Sequence, residues 1–284
     1  MILIADSGST KTDWALVTGK GKIVGQMTSD GINPFHQNDE AITEILHSVA
    51  LSFASFSSER AGEETSLFFY GSGCTPEQAA RLREILLRNI GNISKCEVYS
   101  DMMGAARSLF GKDEGIACIL GTGANSCLYD GCQMVDNTPA LGYILGDEGS
   151  GAVLGRKFLN ALYKGRLPLE LKEKFEQESQ YSMSDVIQKV YREPLANRFL
   201  ASFSLFIGQH LDIESLRQLV VENFRDFFRY NIVPYGKPEL PVSFVGSMAY
   251  YYKNELFEAA EKEGFAVGTI LQKPMEGLIR FHTL

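Results

Sequence analysis

The sequence predicts an α/β chain of two related domains. Three observations carry this: short apolar runs alternate with segments of helical periodicity, a strand–glycine turn–strand opening occurs twice, and a long helical stretch follows its second occurrence. The apolar run at 1–6 reads as a short strand that turns through Ser7, Gly8, Ser9, Thr10 and Lys11 and returns at 14–17, with Asp13 assigned to the turn. Glycines 19 and 21 then turn the chain into a third strand at 23–27. A helix at 41–53, a strand at 67–70, a helix at 76–90, a strand at 96–99 and a helix at 102–110 complete a β-β-β-α-β-α-β-α half. The second half repeats the opening, with strands at 116–120, 126–129 and 133–135. A helical stretch follows, then a strand at 242–245, a helix at 250–263, a strand at 266–271 and a last helix at 274–281. The boundary falls in the glycine-flanked segment near 111–115, giving domains 1–112 and 113–284, the second with a helical insertion at about 152–235. That insertion is long enough for a lid or a substrate wall, and its amphipathic helices present either an internal face or a homodimer surface.

Composition removes several classes of function. With 45% hydrophobic and 22% charged residues, the 284-residue chain has the composition of a folded globular protein. The formal net charge of -8, without a basic stripe, would repel a phosphate backbone, so no nucleic-acid partner is expected. No run approaches the roughly 20 apolar residues of a membrane helix, and the first apolar run meets Asp6 too early for a signal-peptide core. A cytoplasmic protein is expected, with no membrane partner. The odd set of five cysteines (Cys74, Cys96, Cys118, Cys127, Cys132) contains no C-x-x-C pair and reads as reduced, mostly buried thiols. Four scattered histidines give no pair on one helical face, so no metal site built by the protein alone is inferred.

The two glycine turns carry the chemistry. Each follows an apolar strand and offers backbone N–H groups unobstructed by side chains, the kind of concave donor array that meets phosphate charge; Thr10, Lys11 and Thr122 add donors. A single turn of this kind is most often only a turn; two together say more. The Walker pattern G-x-x-x-x-G-K-[ST] is absent, and neither turn is the strand-to-helix G-x-G-x-x-G of dinucleotide folds.

Asp6-Ser7-Gly8-Ser9-Thr10-Lys11-Thr12-Asp13 resembles the first phosphate motif of the acetate-kinase, sugar-kinase, Hsp70 and actin superfamily, and Gly121-Thr122-Gly123-Ala124-Asn125-Ser126 resembles its second. Val245-Gly246-Ser247-Met248-Ala249 is similar to the adenosine motif. Gly31-Ile32-Asn33-Pro34 and the segment from Gly142 through Gly146-Asp147-Glu148-Gly149-Ser150-Gly151 resemble N-acetylglucosamine kinases and BadF-type ATPases within that superfamily. The resemblance implies two ribonuclease H-like, actin-like ATPase domains around an interdomain cleft, with ATP and Mg²⁺ as cofactors and a small-molecule sugar as substrate. It assigns the nucleotide to Asp6, Gly8, Ser9, Thr10, Lys11, Gly121, Thr122, Gly123, Ala124, Gly246, Ser247 and Met248. The sugar falls to Asn33, Gly73, Asp101, Thr122, Gly142 and Asp147.

Among the carboxylates, Asp6 at a strand's carboxyl end is either a turn-forming residue or, by the resemblance, the anchor of the hydration shell of Mg²⁺. Asp101 opens a helix and reads equally as an N-cap or as a ligand-facing carboxylate; the resemblance makes it the catalytic base for a sugar 6-hydroxyl. Asp147 and Glu148 form either a solvated acidic turn or acceptors for sugar hydroxyls. In one respect the chain departs from the pattern: Leu141-Gly142-Tyr143 stands where animal enzymes of the family carry a tryptophan, so the sugar is expected to be held differently. Two other functions fit the resemblance. One is a BadF-type ATPase activator, which needs cysteine thiolates placed for an iron–sulfur cluster. The other is a non-catalytic sugar sensor, for which the first strand's start at Met1 is expected to leave no room for a DNA-binding module.

Overall fold

The computed structural model describes residues 1–8, 10–57 and 63–284; Ser9, expected among the phosphate contacts, lies outside them. The chain groups into two compact units: Met1–Asp113 with Gly131–Gln133 and Lys273–Leu284, and Glu114–Asp130 with Met134–Gln272.

Unit 1 is built on a mixed five-stranded sheet. Strands β1 (Ile2–Ser7), β2 (Lys11–Val17), β3 (Ile23–Asp30), β4 (Thr65–Gly71) and β5 (Ile93–Ser100) lie in the order β3-β2-β1-β4-β5, with α1 (Asp39–Ser57), α2 (Pro76–Asn89) and α3 (Asp101–Phe110) between them. The hairpins β1–β2 and β2–β3 are antiparallel, whereas β1, β4 and β5 run parallel through helical crossovers. Alternation along β1 sends Leu3 and Ala5 into one core, with Trp14, Leu46, Phe69 and Leu86. Ile4 enters the opposite core, so Asp6, two residues on, follows the Ile4 set.

Unit 2 repeats the plan. Strands β6 (Gly115–Leu120), β7 (Ala124–Tyr129), β8 (Met134–Asp136), β9 (Val242–Val245) and β10 (Val267–Leu271) lie in the order β10-β9-β6-β7-β8. Between β8 and β9 come α4 (Gly142–Leu145), α5 (Gly151–Tyr163), α6 (Leu169–Ser179), α7 (Met183–Arg192), α8 (Ala196–Ser202), α9 (Ser204–Gly208) and α10 (Glu214–Phe227), which runs into a π-helical turn, Phe228–Ile232. Helices α11 (Ser247–Tyr251) and α12 (Lys253–Glu263) connect β9 to β10. Phe158, Phe175, Phe203, Phe224, Phe227, Phe228 and Phe244 are buried in one core with Leu120 and Met248, which anchors the glycine-turn end of this sheet to its helices.

The sequence carries the second domain through residue 284, whereas Lys273–Leu284 groups with unit 1. The reason is apolar burial: α13 (Met275–Thr283) places Met275, Leu278 and Ile279 in one cluster with Ile4, Ala15, Val17 and Tyr70. Tyr70 donates or accepts at His282 Nε2 over 2.8 Å and accepts from Arg107 Nη1 at 2.9 Å, pinning the far end of the helix. The thiols of Cys74, Cys96, Cys118 and Cys127 are buried and that of Cys132 is exposed, all unbridged. No described helix is long and apolar enough to cross a membrane.

Helix α13 lies so close to α3 that a Cβ at Gly277 would stand 2.2 Å from the Ser108 carbonyl oxygen. Glycine to alanine inside a helix ordinarily stabilises by about 1 kcal/mol. Here the sign should reverse: Gly277→Ala is expected to destabilise unit 1 by about 1–3 kcal/mol, read as a lower urea midpoint with an unchanged slope.

Candidate functional site

In unit 1, strand register lines up the candidate residues. Ser7 pairs with Gly71, and Gly71 with Ser100, so the carboxyl ends of β1, β4 and β5 stand side by side. That row is where parallel α/β strands expose ligand-binding groups. Asp6 pairs with Asp13 on β2 and Tyr70 on β4, while Asp101 follows directly after Ser100. The buried Ser7 Oγ lies 2.7 Å from Thr12 Oγ1 and accepts from the Ile32 amide at 2.9 Å, tying the loop that carries Asn33 to the first strand end.

The hairpin tip closes through Gly8 N–H to the Lys11 carbonyl at 3.0 Å, and Thr10 is tied in through its carbonyl, which accepts from the Gly31 amide at 3.0 Å. Asp13, expected in the turn, lies inside β2 instead, because ladder pairing starts at Thr12 with β1 and at Lys11 with β3. Its carboxylate accepts from Lys11 Nζ at 3.0 and 3.1 Å, from Lys273 Nζ at 3.0 Å and from Thr28 Oγ1 at 3.2 Å. Burial works to raise the pKa of Asp13, but the two ammoniums overcome it and hold the carboxyl below its ordinary value. Asp6 goes the other way: burial, then repulsion from Asp13 and Asp101, lifts it from 3.8 to about 7 against the pull of Lys11 and Lys273.

Asp101 is also raised by burial, against hydrogen bonds from its own amide and that of Met102; Met102 N–H donates to its Oδ1 at 2.8 Å. The capping role left open in the sequence belongs to Ser100, whose Oγ accepts from Met103 N at 3.2 Å, while Asp101 is the first helical residue. Asn33 and Gly73 are brought together. Gly73 has φ +74°, and a Cβ there would stand 2.1 Å from Asn33 Oδ1. Asn33 Oδ1 accepts from Phe35 N at 3.0 Å, and Nδ2 reaches Ser72 Oγ only at 3.4 Å. Cys74, next along, is pushed up to about 12 by burial first and then by the charge of Asp101.

In unit 2 the second and third glycine turns meet. Gly121 N–H closes onto the Gly123 carbonyl at 3.0 Å, and the first amides of α5, Gly151 and Ala152, donate to the carbonyls of Gly121 and Thr122 at 2.8 and 3.1 Å. Gly246 has φ +126° and approaches the end of β6 so closely that a Cβ would stand 2.3 Å from the Leu120 carbonyl oxygen. A cleft of about 210 Å³ is lined by Gly121, Thr122, Ser247 and Met248 from these turns and by Arg198, Ser202 and Ser204 from α8 and α9. The last three carried no sequence signal beyond helical spacing. Both serine hydroxyls donate to helix carbonyls, at Phe199 (2.7 Å) and Ala201 (2.8 Å), which leaves their oxygens as acceptors.

The acidic turn is docked rather than free. Asp147 N–H donates to the Ala140 carbonyl at 2.9 Å, and its carboxylate lies against the second glycine turn, with Oδ2 3.0 Å from the position a Gly123 Cβ would take. Burial lifts its pKa from 3.8 to about 6, with the Ala124 amide pulling it down and Glu148 pushing it up. Glu148 accepts from Asn231 Nδ2 at 3.2 Å. Gly142 is exposed at the start of α4 and tied to this turn through its carbonyl, which accepts from Gly146 N at 2.8 Å. Among the described residues no group of three or more His, Cys, Asp or Glu side chains is arranged to hold a metal ion.

At two glycines of the candidate turns neither packing nor conformation requires glycine. A Cβ at Gly121 would meet nothing within 4 Å, and one at Gly8 nothing nearer than the Lys11 carbonyl at 3.8 Å; neither has a left-handed φ. Gly19 and Gly91 share that freedom in ordinary turns; at Gly8 and Gly121, which follow the carboxyl ends of β1 and β6, it leaves the backbone open to an external anion.

No family model and no curated protein matches the chain. Among solved structures, 100% of the chain aligns with 99% of a Porphyromonas gingivalis protein named as a candidate N-acetylglucosamine kinase, at 49% identity and a TM-score of 0.94. A Chromobacterium violaceum protein, likewise a candidate N-acetylglucosamine kinase, aligns over 99% of this chain and 98% of its own at 16% identity and a TM-score of 0.68. A Listeria monocytogenes candidate N-acetylmannosamine kinase aligns over 99% and 98% at 15% identity and a TM-score of 0.53. The last two share the fold, two mixed five-stranded α/β sheets of the actin-like ATPase type.

The raised Asp6 gives a stability test. A carboxyl at about 7 in the fold and 3.8 when unfolded keeps its proton in the native state between those values, so its contribution is full below about 3.8 and is lost as pH rises through about 7. Asp6→Asn is therefore expected to raise the thermal midpoint at pH 8 relative to wild type and to lose that advantage near pH 4; an equal gain at both would contradict the assignment.

Proposed function

The chain belongs to the family of the Porphyromonas gingivalis candidate N-acetylglucosamine kinase, with the actin-like ATPase fold of sugar kinases, and from this we propose that it is an ATP-dependent sugar kinase acting on the 6-hydroxyl of N-acetylglucosamine or a closely related amino sugar. The observation that carries this reading is the register that sets Asp6 and Asp101 at the carboxyl ends of β1 and β5, on either side of β4, whose following loop carries Gly73 against Asn33. Phosphoryl transfer asks for positioning and charge neutralisation more than covalent chemistry, and these residue types provide both.

In this reading Gly8, Thr10, Lys11, Gly121, Thr122, Gly123 and Ala124 donate to the phosphates, and Gly246, Ser247 and Met248 hold the adenosine. Asn33, Gly73, Thr122, Gly142 and Asp147 bind the sugar. Asp101 accepts the proton of the attacking hydroxyl; burial raises its pKa toward the operating pH, which suits a general base. The donor set fits Mg²⁺: the Asp6 carboxylate, with no protein-built cage among the described residues, would suit a hard ion that keeps most of its waters and shares the phosphates. Bound there, the ion would neutralise phosphate charge, and its positive charge would relieve the repulsion that Asp13 and Asp101 impose on Asp6.

Asp101→Asn is expected to lower turnover with the amino sugar about 10²–10⁴-fold in a coupled ADP-release assay while leaving Mg-ADP affinity in calorimetry unchanged. Turnover within a factor of two or so of wild type would remove Asp101 from the chemistry. Gly121→Ala is expected to keep the fold, since its Cβ meets nothing within 4 Å, and to weaken Mg-ADP binding about tenfold or more; binding at wild-type affinity would take the turn out of the nucleotide site.

A further inference from the structure

Lys273 lies outside every motif, between β10 and α13, yet it reaches the first hairpin. Its Nζ is 3.0 Å from Asp13 Oδ2, and Lys11 Nζ is 3.1 Å from the same oxygen. One carboxylate oxygen thus holds two ammoniums, which repel each other at that spacing. Asp13 is kept still by its place in β2 and by Thr28 Oγ1, while the lysine side chains are 50% (Lys11) and 56% (Lys273) exposed. Lys273 is fixed from the other side, because Pro274 and the buried Met275, Leu278 and Ile279 that follow it seat α13 against Ile4, Ala15 and Val17. A pair meant only for stability would gain little from this crowding, since exposed ion pairs contribute weakly and the second cation adds repulsion.

We propose that Lys273 is a phosphate-binding residue of the first hairpin, so that unit 1 presents to a nucleotide polyphosphate a pair of ammoniums, Lys11 and Lys273, spaced and aimed by Asp13. The proposal rests on the reading of that hairpin as a phosphate site. Asp13 carries one negative charge against two ammoniums, so the pair keeps one net positive charge that phosphate oxygens would balance. Asp13 is then a positioning residue, and the C-terminal segment completes a site whose motif lies at the start of the chain.

The test uses the full chain and compares Mg-ADP with adenosine, which has the base and ribose but no phosphate. Lys273→Met is expected to weaken Mg-ADP binding about tenfold, to leave adenosine binding and the thermal midpoint unchanged, and to flatten the salt dependence of Mg-ADP affinity. Lys273→Arg is expected to restore most of the loss. Equal Mg-ADP affinity in wild type and Lys273→Met would overturn the proposal while leaving the hairpin reading intact. So would a loss shared by adenosine and accompanied by a lower thermal midpoint, since it would mark Lys273 as structural. If the wild-type chain binds adenosine but gains nothing from the phosphates of Mg-ADP, the hairpin reading itself falls, and the proposal with it.

Discussion

The register of the unit 1 sheet is the constraint from which the candidate chemistry follows. Ser7, Gly71 and Ser100 occupy one row, and that pairing places Asp6, Asp101 and the Ser72–Gly73 loop together at the ends of three parallel strands. A slip of one residue in β1 would turn Asp6 to the Leu3 face and bury a carboxylate among Trp14 and Phe69. The register is held by backbone ladders, by alternation of Leu3, Ile4 and Ala5 between two cores, and by the Ser7 hydroxyl, which ties the Ile32 loop to the strand end.

From that geometry comes an electrostatic arrangement with opposite outcomes for neighbouring carboxylates. Asp13, braced by two lysines, stays ionised, whereas Asp6, more deeply buried and facing two other carboxyls, is lifted toward neutrality. Such divergence marks functional sites more often than structural ion pairs, because stability alone gives no reason to crowd like charges. A bound dication would reverse the balance at Asp6, coupling ligand binding to the ionisation of the site. In unit 2, Asp147 repeats the theme, with its carboxylate pressed against the second glycine turn and its pKa raised by burial.

Much of this was legible in the sequence because its signals are local. Apolar runs bounded by glycine gave the strands, helical periodicity gave the helices between them, and the duplicated opening gave two similar sheets. The errors also have physical causes. Asp13 reads as a turn residue because a polar strand start looks like a hairpin tip, and only the ladder pairing of Lys11 and Thr12 separates the two. For Asp101 the sequence leaves a cap and a ligand-facing carboxylate equally open rather than in error, because Ser100 and Asp101 are both good caps and only the bond from Met103 to Ser100 decides. Lys273, some 260 residues from Asp13, and Arg198, Ser202 and Ser204 on packed helices are invisible to periodicity, since tertiary packing brings them to the motifs. The last helix follows the same logic: its amphipathic pattern announces a buried face without saying which sheet it covers.

The central claim, phosphoryl transfer from ATP to an amino sugar, is tested most directly by offering the wild-type chain Mg-ATP with a panel of hexoses and amino sugars and identifying products by phosphorus NMR. A single sugar monophosphate ester is expected, esterified at the 6-position and formed fastest from N-acetylglucosamine or a close relative, with one ADP released per ester. Unchanged ATP and sugar across the panel, from protein that binds Mg-ADP, would contradict it.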